Sequence, residues 1–451
     1  MRLILLADIV LYWQEYNLSS NKGTLAMEVL KNMFRALKHR NYAVFCSGQI
    51  ISLIGNWMQA MALSWLVYRL TGSSTQLGAV TFCAQIPILL LVPWGGIIAD
   101  RHHKRTVLLW TQSLFMLLTG TIAALTLTDN VQIWHIYVIS ILIGMVTAVD
   151  MPTRQAFIVH MVEGKDDLSN AIVLNSSMVN SARLIGPSIA GLLVAWVGEG
   201  HCFLLNSLSY LAVLTSLINI TVDGFAPGKA SESPLKSLLD GYRFTVKNQP
   251  IASLMLAVAT MSLNASAHTV LMPVFARTIL HGTSKTMGIL LAAEGIGSIT
   301  GALALACKRT TKGLETIIAA ASIICGILLA LFSLTRTLWL AVLCLIPLGV
   351  TITCQLSTSN TLVQYLTPDH LRGRVMGLHA MMFAGLNPIG AFIYGALADK
   401  IGTPTALAIS GLLLLLGSLR FVFTLKSFRI KARRLLTLTE RCNLSMHNEH
   451  I

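Results

Sequence analysis

Gly96-Ile97-Ile98-Ala99-Asp100-Arg101-His102-His103-Lys104-Arg105 sets four formal charges between two long apolar segments, 76–99 and 106–128. Neither segment contains Asp, Glu, Lys or Arg. Each is about 23 residues long, enough at about 1.5 Å per residue to cross ~30 Å of hydrocarbon. A turn this charged faces water. The unit reads as a membrane hairpin with its loop on the cytoplasmic side, where Lys and Arg accumulate.

Composition agrees. Apolar residues make up 54% and charged residues 12%, against about 25% charged in soluble domains. An ordinary soluble enzyme is excluded. The net charge of +14 does not point to nucleic acid, because the basic residues fall between apolar segments rather than along one face. Cys46, Cys83, Cys325, Cys344 and Cys354 lie inside apolar segments and no C-x-x-C occurs, so they read as small packing residues. The chain has no G-x-x-x-x-G-K-[ST] phosphate loop, no H-E-x-x-H, and no soluble domain large enough for ATP. It reads as a non-enzyme with no cofactor and no metal site, driven by an ion gradient.

Candidate spans follow at 42–68, 76–99, 106–128, 131–154, 169–197 and 201–222, then at 250–276, 286–306, 314–335, 338–363, 375–398 and 402–425. The implied fold class is an all-α membrane protein of twelve transmembrane helices, six plus six. The domains are an N-terminal extension (1–41), a first bundle (42–222), a polar linker (223–249), a second bundle (250–425) and a basic tail (426–451). Residues 2–13 are apolar but short and contain Asp8, which argues against a signal peptide. Either they form an interfacial helix, or they are an upstream extension with Met27 or Met33 as the working start. The second reading is favoured because spanning begins only at Tyr42. Of 33 Lys and Arg, 25 fall in segments that lie inside if the N-terminus is inside, and 5 fall in the outer loops. That imbalance places both termini in the cytoplasm; the family resemblance described below implies a bacterial inner membrane.

The halves look duplicated. Span five opens at Asp166-Asp167-Leu168 and holds Gly186-Pro187; span eleven opens at Asp369-His370-Leu371 and holds Asn387-Pro388. Leu168 to Leu371 is 203 positions and Pro187 to Pro388 is 201. A near-constant offset suggests repetition of a six-span unit, a common plan for transporters, with the substrate site between the repeats.

Gly96-x-x-x-Asp100-Arg101-x-x-Lys104-Arg105 resembles the loop 2–3 signature of the major facilitator superfamily, with His103 where that signature has glycine. Placement agrees as well as residues. The resemblance spans 42–425. It implies two pseudo-symmetric six-helix bundles that alternate access, and it implies that Asp100 accepts backbone N–H groups at the start of span eleven. Physically, a carboxylate suits a helix N-terminus. Arg101, Lys104 and Arg105 can pair with acidic partners or lipid headgroups, and Asp150 near the end of span four is the obvious carboxylate. Topology enforcement alone is the competing reading.

Span five carries Ala182-x-x-x-Gly186-Pro187-x-x-Ala190-Gly191, which resembles the signature of proton-coupled exporters in the superfamily, two glycines being alanine here. Small residues and a proline permit a kink and close approach of a neighbour; ordinary helix packing is the alternative. Arg183 lies mid-span in span five and Glu294 mid-span in span eight. A mid-membrane Arg costs about 2.5–3.5 kcal/mol or more unless paired or wetted. The two are each other's best partners, and the resemblance allows spans five and eight to meet. The pair reads as a proton switch, a substrate anchor or a structural bridge.

Asp150-Met-Pro152-Thr-Arg154 and Arg372-Gly373-Arg374 resemble inner-surface segments of a narrower branch, the enterobactin-exporter-like permeases or transmembrane secretion effectors. In that fold, spans one, four, seven and ten line the cavity. They offer Gln49, Asn56, Gln59, Asn264, His268, Gln355 and Asn360 as substrate contacts, each alternatively an interhelical hydrogen bond. Trp57 and Trp65 can stack on aromatic cargo, and Trp65 equally suits the interface belt. The reading is a monomer in the lipid bilayer that exports a small amphipathic molecule in exchange for protons, with siderophores or drug-like compounds implied as cargo. A lipid-translocating permease, a solute importer and a non-transporting sensor are the alternatives. Tags placed within 96–105 and at both termini are expected to be reachable only from the cytoplasmic face; labelling from outside would reverse the orientation.

Overall fold

The computed structural model describes residues 34–222, 234–308, 310 and 313–448. The reading of residues 1–33 and of Pro227 and Gly228 lies outside them. Among the described residues, twelve helices are long and apolar enough to cross a membrane. In order they are Arg40–Thr71, Ser74–Arg101, Lys104–Leu127, Ile133–Met161, Lys165–Val197, Glu199–Asn219, Gln249–Val274, Ser284–Ala306, Leu314–Leu334, Leu338–Leu366, Asp369–Ile401 and Thr403–Asn448. These are spans one to twelve. A π turn, Phe275–Ile279, extends span seven. No strand occurs among the described residues.

Only helices with every backbone group bonded internally can cross hydrocarbon in an open fold. The breaks between helices therefore fall at residues that tolerate unusual backbone. Gly198 joins spans five and six at φ +86°, and Gly402 joins spans eleven and twelve at φ +87°. A side chain at either would be strained. The two joints are 204 positions apart, a third mark of the repeat.

Packing shows the repeat in full. In the first bundle span one lies against five and six, three against four and six, and two against four. In the second, seven lies against eleven and twelve, nine against ten and twelve, and eight against ten. Adding six to each number in the first set yields the second. The halves meet mainly through spans two with eleven and five with eight, an arrangement that maps onto itself when the bundles exchange.

Helices in lipid gain little hydrophobic drive from touching one another, so close backbone approach decides which ones pair. Spans two and four meet at Gly95 and Gly144; a Cβ there would lie 2.0 Å from Ala148 O and 2.4 Å from Ala84 O. Spans eight and ten meet at Gly297 and Gly349, where a Cβ would lie 1.9 Å from Ile346 O and 2.1 Å from Glu294 O. The periphery is the converse: Trp110, Trp339 and Phe423 are 70%, 78% and 84% exposed, as lipid-facing side chains must be.

Three segments differ from expectation. The linker contains a helix, Pro234–Lys247, tied to span eleven by Asp240 and Arg374 at 2.8 Å. Span twelve does not stop near 425 but runs to Asn448, because no Gly or Pro follows Gly417 within it. Arg429 on its extension pairs with Glu315 at 2.9 Å. Residues 35–39, just ahead of span one, are docked: Ala36 N–H donates to Asn170 at 2.9 Å, and Arg35 and His39 both meet Asp167 at the head of span five.

Replacing Gly349 by Val should overpack the span eight–ten seam and destabilise the protein by about 1–3 kcal/mol, read as a lowered melting temperature in lipid nanodiscs. An unchanged melt would mean the seam can relax.

Candidate functional site

Span five is the element that carries chemistry across the molecular midline. Ala182 and Ala190 are fully buried. A Cβ at Gly186 would meet Trp57 Cβ at 2.6 Å and Ile54 O at 2.8 Å, both on span one. A Cβ at Gly191 would meet Ser284 O at 2.9 Å and Gly288 Cα at 3.0 Å, both on span eight. Ser284 Oγ also donates to Gly191 O at 3.1 Å. The two glycines thus press span five against its own bundle on one side and the other bundle on the second. Pro187 lies inside the helix and leaves one carbonyl a turn earlier without its usual N–H partner.

That double approach brings Arg183 to Glu294, Nη2 to Oε1 at 2.7 Å. Glu294 is buried, and the Arg183 side chain is one-third exposed (33%). The guanidinium lies 5.5 Å from the centre of the Trp57 ring, within cation–π range. His268 of span seven completes the group, its Nε2 standing 3.3 Å from Glu294 Oε2. Its Nδ1 faces the Ala265 carbonyl within hydrogen-bond reach, so Nδ1 carries a proton. Nε2 also lies 3.3 Å from the Thr269 hydroxyl, so the ring stands between that hydroxyl and the Glu294 carboxylate. Spans one, five, seven and eight contribute one residue each, two from either bundle.

Sequence reasoning pairs Arg183 with Glu294 but leaves His268 without a partner. A histidine in an apolar run carries no sign of which face it presents. The other polar candidates divide. Asn206 of span six donates to Asn56 at 3.2 Å and to Gln59 at 2.5 Å, and Tyr210 donates to Asn56 at 2.6 Å. Asn264 donates to Thr260 O at 2.7 Å and accepts from Tyr394 of span eleven. Asn56, Gln59 and Asn264 are thus engaged within their own bundles rather than offered to a cavity. Asn360 accepts from Gln364 one turn on, at 3.1 Å. Gln49 is buried with Oε1 unpartnered, and Gln355 is fully buried with neither amide atom partnered among the described residues.

Loop 2–3 also differs in part. Asp100 is exposed and has no partner among the described residues. The N-cap of span eleven, Pro368, has no side-chain cap. Arg101 is exposed and Lys104 is buried. Arg105 donates to Leu217 O and Ile218 O, each at 2.7 Å, the favourable place for a cation at the end of span six. Asp150 accepts from Thr111 at 2.7 Å, from Gln112 at 2.8 Å and from Arg154 one turn along its own helix. Asp150, the carboxylate offered to Arg101, Lys104 and Arg105, thus takes these donors, while Arg105 goes to the span-six carbonyls. Arg372 pairs with Asp369, and Arg374 with Asp240. A Cβ on Gly96 or Gly373 would meet nothing within 4 Å.

Contacts between the halves run from mid-membrane away from loop 2–3. Gly385 faces Leu89 and Gly295 faces Leu184 near the middle; Gly78 faces Ala391, Gly395 faces Ser74, and Gly191 faces Gly288 toward the far end. The ends that carry loop 2–3 stand apart, and the four-residue group lies near the point where the halves first touch.

The transmembrane secretion effector family matches residues 32–439. The chain is 28% identical to the staphyloferrin A transporter of Staphylococcus aureus over 86% of this chain and 97% of that one. It is 26% identical to the multidrug efflux pump Tap of Mycolicibacterium fortuitum, over 80% and 90%. Against the enterobactin exporter EntS of Citrobacter koseri the identity is 24%, over 87% and 95%. Among solved structures, a POT family transporter in complex with 5-aminolevulinic acid superposes with TM-score 0.70 at 12% identity, over 86% and 96%. A bacterial homolog of the human lysosomal transporter Spinster, inward-facing and unoccupied, superposes with TM-score 0.64 at 14% identity, over 88% and 98%. The structural likenesses show the fold.

A double-mutant cycle on Arg183→Ala and Glu294→Ala, read by thermal unfolding, should return a coupling of about 0.5–3 kcal/mol. Additive losses would mean the two charges are neighbours without mutual dependence.

Proposed function

This chain belongs to the transmembrane secretion effector family of the major facilitator superfamily, and on that footing we propose that it exports a small amphipathic molecule from the cytoplasm in exchange for protons. That it is a multi-pass membrane transporter rather than an enzyme follows from the family. Direction, coupling and cargo are the proposal. The observation that carries it is the Arg183–Glu294–His268 group, largely buried at mid-membrane and shared between the bundles.

With loop 2–3 inside, as the charge imbalance demands, the parted ends open to the cytoplasm. Cargo reaching mid-membrane meets the Trp57 ring with the Arg183 guanidinium over it, a surface suited to a flat aromatic body. Glu294 supplies the acceptor for a cargo O–H or N–H. That interaction needs the carboxylate, and a proton on Glu294 removes it. Cargo and proton therefore compete for one oxygen pair, which is what exchange requires: the outside proton expels cargo, and loss of that proton inside readies the site. His268, its Nδ1 held by the Ala265 carbonyl, offers Nε2 as the proton's second resting place. Rocking the halves turns the site from one face to the other. The carrier works as a monomer in lipid and invokes no cofactor.

The siderophore and drug cargoes of the similar proteins suggest the trial compounds. Everted vesicles with an imposed pH gradient, offered fluorescent dyes and catecholate chelators, should accumulate cargo. Glu294→Gln should reduce gradient-driven accumulation by at least about tenfold while leaving cargo-for-cargo exchange measurable; His268→Ala should act in the same direction. Undiminished proton-driven uptake by Glu294→Gln would remove the carboxylate from coupling. Lipid redistribution without dye uptake would favour a lipid-translocating carrier.

A further inference from the structure

Spans two and eleven carry the same punctuation at both ends. Span two starts at Ser74 with a glycine four positions on, Gly78, and closes Gly96-Ile-Ile-Ala99-Asp100-Arg101. Span eleven starts at Asp369 with a glycine four positions on, Gly373, and closes Gly395-Ala-Leu-Ala398-Asp399-Lys400. The helices run in opposite directions, so the closing G-x-x-A-D of each lies beside the opening residues of the other.

At the far end this pairing is made. Asp399 accepts from Ser73 Oγ at 2.6 Å, Ser74 N–H at 2.7 Å, Thr75 N–H at 2.9 Å and Thr75 Oγ1 at 2.7 Å. One carboxylate thus satisfies two orphan amides of span two, where the helix dipole also favours it. Beneath it the backbones touch: a Cβ on Gly395 would lie 2.4 Å from Ser74 O and 3.5 Å from Gly78 Cα. At the loop 2–3 end the equivalent parts are present and apart. Asp100 has no partner among the described residues, the start of span eleven has no side-chain cap, and Gly96 and Gly373 face open space.

We propose that Asp399 is the outer-gate residue of this transporter, the counterpart of Asp100, and that the two carboxylates cap each other's helices alternately. The far gate is shut when Asp399 holds Ser73, Ser74 and Thr75. The near gate shuts when Asp100 takes the amides at the head of span eleven and Gly96 meets Gly373 as Gly395 now meets Gly78. A rigid pair of helices cannot satisfy both ends at once while a cleft is open at either. Each latch thereby sets the population of the state that the other opposes. This rests on the alternating-access reading above.

The test is dye-pair energy transfer on the full chain in nanodiscs, with one pair at His102 and Thr310 and a second at Asn130 and Thr337. Asp399→Asn should shift the ratio of near-open to far-open molecules toward far-open by at least about tenfold, given the strength of carboxylate hydrogen bonds. Asp100→Asn should shift it the other way, and the double variant should return near the starting ratio. If Asp399→Asn does not fold, Ser73→Ala with Thr75→Val keeps the carboxylate and should give a smaller shift of the same sign. Gly373→Val, unopposed in the present state, should favour near-open. Two distance populations that ignore Asp399→Asn, or that move with Asp100→Asn in the same direction, overturn the latch and leave alternating access standing. A single population in every variant overturns both.

Discussion

Hydrocarbon gives two helices no solvent reason to associate, so their union depends on how near the backbones can come. Here glycine sets that distance. Gly95 and Gly144 seat span two on span four; Gly297 and Gly349 seat span eight on span ten. These seams fuse each set of six helices into a body with little internal play. The contacts between bodies use the same device at fewer points, Gly191 on Gly288 and Gly78 on Gly395, gathered toward one end. Within each half five helix pairs pack closely, and between the halves chiefly two, a division that suits two blocks moving as units.

Charge is placed according to the same division. Asp150 is buried and bonded inside the first bundle by Thr111, Gln112 and Arg154. Arg69 and Glu199, 2.8 Å apart, likewise belong to one bundle. Glu294 differs in having Arg183 from the opposite bundle and His268 from its own. Burying a charge is tolerable only while its partners stay. In the exchange proposed above, the proton or a cargo group replaces what Glu294 loses when the halves part.

The crossing helices were legible because length of apolar run is a one-dimensional property, and the Arg183–Glu294 pairing because opposite charges at mid-span have few other partners. What depends on azimuth was not legible. Asn56, Gln59 and Asn264 are the right residue types on the expected spans, yet they turn toward Asn206, Thr260 and Tyr394. His268 turns the other way, to Glu294. Helical periodicity is mute when every face is apolar. The extension of span twelve past residue 425 is not legible either, because a change to polar residues does not by itself end a helix and no Gly or Pro follows Gly417 within it. Loop 2–3 was recognised from its charges, but whether its aspartate is engaged is a property of the conformation, not of the sequence.

Arg183 and Glu294 ride on different rigid bodies, and Gly349 pressed against the Glu294 carbonyl fixes the carboxylate's helix to its own block. Any swing of one block against the other therefore carries opposite charges along different paths through the bilayer. An elementary charge crossing the full potential exchanges about 2.3 kcal/mol per 100 mV. If the blocks rock as proposed and carry these charges to different depths, the resting voltage of the cell acts on the two side chains directly, independent of any chemical gradient.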